Sequence, residues 1–425
     1  MNKNLGCLFL LKKTAVFFRG LHRERGGRPA RPNAGGKAGG PEKGLEIFEL
    51  SPYDAPLPEG FGRSPSDVAP QGWLRRGTLF FPAFRNFPEG IPMDKVLLDY
   101  GSGGRASHRF VQDLFFKHLG NDILARMDDA AVLHLNGPVA MSTDSFVVDP
   151  IFFPGGDIGS LAVHGTVNDV AMMGARPLYL TCGFILEEGL PLADLERVVA
   201  SMGQAARDAG VRIVAGDTKV VQRGAADKIF INTTGVGEIV VDPAPGGNRA
   251  RIGDAVLVSG SMGDHGLAIL STREGLSFAA PVVSDSAALW GLVEKVLAAA
   301  GDVHVLRDPT RGGLGTTLNE IAGQSAVGIE LVQADIPIDP AVAGGCAVLG
   351  LDPLYLANEG KCICIVPGDK ALATLEVLRA DPLGRDAAVI GRVVAEHPGK
   401  VAMVTPLGGR RLLGMLEGEQ LPRIC

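Results

Sequence analysis

VAMSTDSFVVDPIFFPGGDIGSLAVHGTVNDVAMMG, residues 139 to 174, is the stretch whose reading decides the fold class. Its first ten residues, Val139 to Val148, predict a strand with Asp144 embedded in it. From Asp157 the period changes. Ile158, Leu161, Ala162 and the later apolar positions share one helical face, and Asp157 stands where an N-cap belongs. That helix, Asp157 to Gly174, carries the pair Asn168-Asp169. The alternation continues outward. Leu178 to Leu186 predicts a strand, the spacing of Leu195, Val198, Val199, Met202, Ala205 and Ala206 a helix, and Val211 to Ala215 and Ile229 to Thr234 two further strands.

Asp242 to Gly253 is a Pro/Gly-rich link, after which the pattern starts afresh with Asp254 to Gly260. Helices are expected at Ala287 to Ala299, Leu314 to Ala322 and Asp369 to Arg379. Strands are expected at Ile329 to Val332, before Val366, and at Ala388 to Val394 and Val401 to Thr405. Two successive halves of alternating elements predict an α/β protein, α+β in its two-domain organisation. The expected boundaries are 93–245, 246–406 and a flexible tail at 407–425.

Residues 1–92 differ in kind. They carry 14 Lys/Arg against 8 Asp/Glu and 11 of the 28 prolines, so they read as a disordered or non-native extension, with the working chain starting near Met93. The remaining residues carry 27 Lys/Arg against 39 Asp/Glu. That acidic balance argues against nonspecific nucleic-acid binding. No apolar run is long enough for a membrane span. Six cysteines without paired spacing point to a reducing cytoplasm.

Several stretches can carry chemistry. Gly101, Gly103 and Gly104 form a glycine-rich loop that suits either phosphate binding or a plain turn. Asp129, Asp144, Asp169 and Asp217 are carboxylates with few matching cations, as Mg2+ with bound phosphates requires; caps and solvated loop charges are the competing account. Lys219 lies two residues past Asp217 and suits a phosphate contact or a base. Arg311, in RDPTRGGL (307–314), offers an anion site or a simple helix start. Glu359 presents a carboxylate in the turn NEG (358–360). Cys362 and Cys364 alternate on a strand and read as core. His164 and His265 lack ligand spacing and read as structural.

The chain stops on Cys425. A thiolate is strongly nucleophilic, and Gly408, Gly409, Gly414 and Gly418 make its lead-in pliant. Seventeen extended residues reach about 50 Å, so the sulfur can leave its domain and return.

Together, DYGSGG (99–104), DDAAV (128–132), TDSFVVDPIFFPGGDIG (143–159), HGTVNDVAMMGA (164–175), AGDTKVV (215–221), GDHG (263–266), RDPTRGGL, NEGK (358–361) and terminal PRIC (422–425) closely resemble the HypE family, the carbamoyl dehydratases of nickel-iron hydrogenase maturation. These belong with aminoimidazole ribonucleotide synthetase and selenophosphate synthetase. The resemblance covers 93 to 425, and PRIC is what singles the family out. It implies an N-terminal domain that pairs in a homodimer, a C-terminal α/β domain, and Mg-ATP in the clefts between them. Asp129, Asp144, Asn168, Asp169 and Asp217 match its nucleotide motifs, and Lys219 and Glu359 match positions that assist proton removal. It also implies that HypF loads a carboxamide onto Cys425, that ATP-driven dehydration yields a thiocyanate, and that cyanide passes to iron on the HypC/HypD complex. Another ATP-dependent synthetase or kinase of the superfamily would need no terminal thiol. A nucleotide-bound scaffold would leave Cys425 unmodified.

Overall fold

The computed structural model describes residues 94–278, 280–418 and 421–425. The extension expected at 1–92 lies outside them. The first domain is built on a four-stranded sheet of Val139–Phe146 (β1), Ala175–Glu187 (β2), Arg212–Val221 (β3) and Ile229–Ile239 (β4), in the order β1-β4-β2-β3. β2 and β3 are parallel and the other neighbours antiparallel. Helices Ile158–Met172 (α1) and Leu192–Asp208 (α2) cover one face of it.

α1 starts where its sequence says it should. Asp157 accepts from the amides of Gly159 at 2.8 Å and Ser160 at 3.1 Å, and the Ser160 hydroxyl closes the reciprocal bond to the Asp157 amide. Twelve of its fifteen residues are buried, because the helix is enclosed by the sheet, α2 and the second domain.

β3 does not end before Gly216-Asp217-Thr218-Lys219, as the low strand propensity of glycine and aspartate suggests. It continues through them because each keeps a partner on β2, Asp217 opposite Gly183 and Lys219 opposite Ile185. Tertiary pairing overrides local preference here.

The second domain holds a seven-stranded sheet of Ala255–Val258 (β5), Val305–Arg307 (β6), Gly328–Val332 (β7), Ile363–Val366 (β8), Ala388–Val394 (β9), Val401–Val404 (β10) and Arg410–Leu413 (β11), in the order β11-β10-β7-β9-β5-β8-β6. Its helices are Asp264–Arg273 (α3), Trp290–Ala300 (α4), Gly313–Ser325 (α5), Pro340–Leu349 (α6) and Ala371–Ala380 (α7). No expectation covers α6, whose glycines and alanines give no clear apolar stripe. Cys362 and Cys364 are buried in one apolar cluster, as their alternation implies.

The tail differs from a uniformly flexible arm. β11 falls inside 407–425 and pairs antiparallel with β10, Val401 opposite Leu413, while residues 422–425 lie against the body. Among the described residues no helix is long and apolar enough to cross a membrane.

Candidate active site

The final residues are held at the junction of the two domains. The amide of Val147 donates to a terminal carboxylate oxygen of Cys425 at 3.0 Å, and that of Asp149 to the Arg423 carbonyl at 3.3 Å, in antiparallel register beyond the end of β1. Ile424 is buried in the first domain's core with Ile269 and Ala357. This leaves the Cys425 sulfur beside Arg311, whose Nη2 donates to it at 3.4 Å.

Glu359, before β8, and Asp144, on β1, act on that sulfur, and two further carboxyls, Asp169 on α1 and Asp308 after β6, act on them in turn. Burial, then the neighbouring Asp169 charge, push Asp144 up to about 6. The same two causes push Asp308 up to about 7. Burial raises Glu359 well above the usual carboxylate range, with Asp308 the next contributor. Asp308 Oδ2 and Glu359 Oε1 are buried without a hydrogen-bond partner among the described residues. Such orphaned acceptors are costly and mark a place built to receive a donor.

Glu359 is fixed by its backbone. Asp285 accepts from the amides of Glu359 at 3.0 Å and Gly360 at 3.1 Å, and Lys361 pairs with Asp285 at 3.2 Å. A Cβ on Gly360 would meet the Asp285 carbonyl at 1.8 Å, so only glycine allows this approach. Burial raises the Cys425 thiol, Glu359 raises it further, and Arg311 opposes them. Burial and Glu359 thus disfavour the thiolate form at this position.

Asn168 is buried and committed to the second domain. Its Nδ2 donates to the carbonyls of Ala287 at 2.9 Å and Glu359 at 3.3 Å, and its Oδ1 accepts from the Leu289 amide at 2.8 Å. Its side chain thus ties α1 to the backbone around Glu359.

The remaining expected residues lie elsewhere. Gly101, Gly103, Asp129, Asp217 and Lys219 line a cavity of about 360 Å³ beside β3. Gly101 has a packing reason of its own, since a Cβ there would stand 2.3 Å from the Val220 amide. Gly104 opens the short helix Gly104–Phe110. Asp217 and Lys219 are paired at 2.9 Å and exposed. Asp144 and Asp217 occupy the two edge strands, and register puts them on opposite faces of the sheet, Asp144 level with Thr233 and Cys182, Asp217 level with Asn232 and Gly183. One chain does not gather the four aspartates. Among the described residues no three His, Cys, Asp or Glu side chains are grouped to hold a metal ion.

The family model for the N-terminal domain of AIR synthase related proteins matches residues 127–239, and that for their C-terminal domain matches 251–404. Carbamoyl dehydratase HypE of Azotobacter vinelandii is 58% identical over 331 residues, covering 78% of this chain and 97% of the relative. HypE of Escherichia coli K12 is 48% identical over 339 residues, covering 78% and 100%. The chain belongs to the HypE family. A crystal structure of hydrogenase maturation protein HypE in complex with ATP is 67% identical, with a TM-score of 0.76 over 77% of this chain and 99% of that one. A HypE–HypF complex gives 46% identity and a TM-score of 0.64 over 72% and 99%. Thiamine-monophosphate kinase from Stenotrophomonas maltophilia, at 21% identity and a TM-score of 0.51, shares the fold alone.

Four residues that sequence reasoning passed over complete the site in this HypE family member. Asp308 sits inside the quoted RDPTRGGL, where the charge pattern drew attention to Arg311 instead. Asp285 lies in an unmarked loop, and Arg273 ends α3, a mostly buried helix with no feature that marks its last residue. His265, within GDHG, is buried as expected but also contacts the tail, its Nε2 standing 2.9 Å from the Ile424 carbonyl.

Proposed function

We propose that this chain is an ATP-dependent carbamoyl dehydratase acting on its own C-terminus. The observation that carries this reading is the Cys425 sulfur held beside the Arg311 guanidinium and under the influence of the buried Glu359 carboxyl, which Asp308 backs. A thiocarbamate, R–S–CO–NH2, has two N–H protons and one poor leaving oxygen. The carbamoyl oxygen takes up the γ-phosphoryl group of ATP as one N–H proton leaves. The C–O bond then breaks with loss of the second proton, giving R–S–C≡N, ADP and phosphate. Glu359, raised by burial and backed by its backbone contacts, accepts a proton, and the Arg311 cation faces the charge that develops on the departing oxygen.

Because burial and Glu359 disfavour the thiolate in the docked position, loading by HypF belongs to a released arm, as does delivery of cyanide to iron held by HypC/HypD. The hard oxygen donors Asp144 and Asp169 fit Mg2+ brought in with nucleotide phosphates, since this ion usually takes one or two carboxylates and completes its shell with phosphate and water. When bound, it neutralises phosphate charge.

A second copy of the chain accounts for the division of the aspartates. The sheet face turned away from α1 exposes Val139, Met141 and Ile185 together with Asp217 and Lys219. Pairing that face in a homodimer covers the apolar groups and adds the β3 side of one chain to the clefts of the assembly. Lys219 then serves as phosphate contact or second base. The unpaired buried cysteines suit a reducing cytoplasm.

Mass spectrometry of the C-terminal peptide after incubation with HypF, carbamoyl phosphate and ATP tests the reading. A gain of about 43 Da on Cys425, then a net gain of about 25 Da, is expected from thiol acylation and loss of water. Thiocyanate made by Cys425→Ala overturns it.

A further inference from the structure

We propose that His265, Arg273 and Asp227 form a receptor for the last four residues of the chain, and that His265 and Arg273 are positioning residues that set where the Cys425 sulfur stands. The inference rests on the dehydratase reading only for its effect on turnover.

Each of the last four residues is recognised through a main-chain oxygen. Arg273 Nη1 donates to Pro422 at 2.7 Å and its Nη2 to Arg423 at 2.6 Å, while Nε and Nη2 donate to the Asp149 carbonyl at 2.8 and 2.6 Å. His265 meets the Ile424 carbonyl and Val147 a terminal carboxylate oxygen of Cys425. A carbonyl only accepts, so His265 carries its proton on Nε2, and Nδ1 accepts from the Ser284 hydroxyl at 2.7 Å. Burial pushes the ring's pKa down.

Two side chains are gripped. Ile424 enters the core, and Arg423 Nη1 pairs with Asp227 at 2.5 Å while its Nε donates to the Val147 carbonyl at 2.8 Å. Arg423 holds φ at 54°, a region that residues other than glycine avoid, so its partners compensate for its backbone. Main-chain recognition leaves the sulfur out of the grip. The receptor therefore accepts the tail whatever the sulfur carries, and α3, β1 and the 227 loop together aim it at the carboxyls.

Docking and release must then change in opposite senses. In the full-length chain, two rates are read by mass spectrometry of the C-terminal peptide: alkylation of Cys425 by iodoacetamide, and single-turnover conversion of the carbamoyl to the cyano adduct. Arg273→Met is expected to speed alkylation about tenfold and slow conversion about as much, the scale of a lost charged hydrogen bond. Arg273→Lys, which keeps the charge without the fork, recovers only part of both. Asp227→Asn, at a half-exposed position that threatens folding little, shifts both rates in the same directions. ATP binding stays unchanged in all three. Wild-type alkylation rates in Arg273→Met and Asp227→Asn overturn the receptor. If the wild-type chain makes no thiocyanate, the dehydratase reading falls while alkylation still decides the receptor.

Discussion

The Arg311 guanidinium stands 3.4 Å from the Cys425 sulfur, while the Glu359 carboxyl acts on that sulfur with the opposite sign. The cation favours the thiolate and the carboxylate disfavours it. Replacing Arg311 with Met should move the pH midpoint of Cys425 alkylation upward. Glu359→Gln should move it downward. Equal midpoints in both variants would remove these groups from the neighbourhood of the sulfur.

Asp308 gives a stability test with a definite sign. Its folded value, about 7, lies above the ordinary 3.8, so the folded chain binds this proton more tightly than the unfolded chain. The contribution is fully present below about pH 4 and is lost as pH rises through about 7. In nucleotide-free protein with chelator, Asp308→Asn should melt several degrees above wild type at pH 8, and the gap should close toward pH 4. A gap that widens on acidification contradicts the assignment.

Gly360→Ala puts a methyl group 1.8 Å from the Asp285 carbonyl, so the turn carrying Glu359 has to move. Thermal melts should show a loss of about 3 kcal/mol, the upper range for overpacking. Conversion of the carbamoyl adduct should fall further than stability alone explains, because the Glu359 carboxyl moves away from the sulfur.

Met141→Glu places a charge on the open face of the first sheet, where Met141 is 71% exposed. Sedimentation should show a dimer for wild type and a monomer for the variant, with thiocyanate formation lost and the melting temperature little changed. A dimeric variant would point to another pairing surface.

Much of the fold was legible because local rules and burial agree. Asp157 stands where an N-cap belongs and the helix begins there, while the reciprocal bond from Ser160 is seen only in the structure. The alternation of Cys362 and Cys364 predicted a shared core face, and both are buried in one cluster. Local and tertiary preferences part at Gly216 to Lys219. Glycine and aspartate there read as a strand end, yet neighbours on β2 hold the segment in the ladder.

The sequence by itself determined the family motifs, the two-domain alternation and the terminal cysteine, since each is a matter of residue type and spacing along one chain. Only the tertiary structure decided which groups meet. It divides Asp144 from Asp217 by sheet edge and face, turns Asn168 toward the second domain, and brings Arg311, Arg273 and His265 to the tail from distant segments. The reason is that convergence at the sulfur depends on strand register and on how the two domains pack. Neither quantity is written in any local pattern.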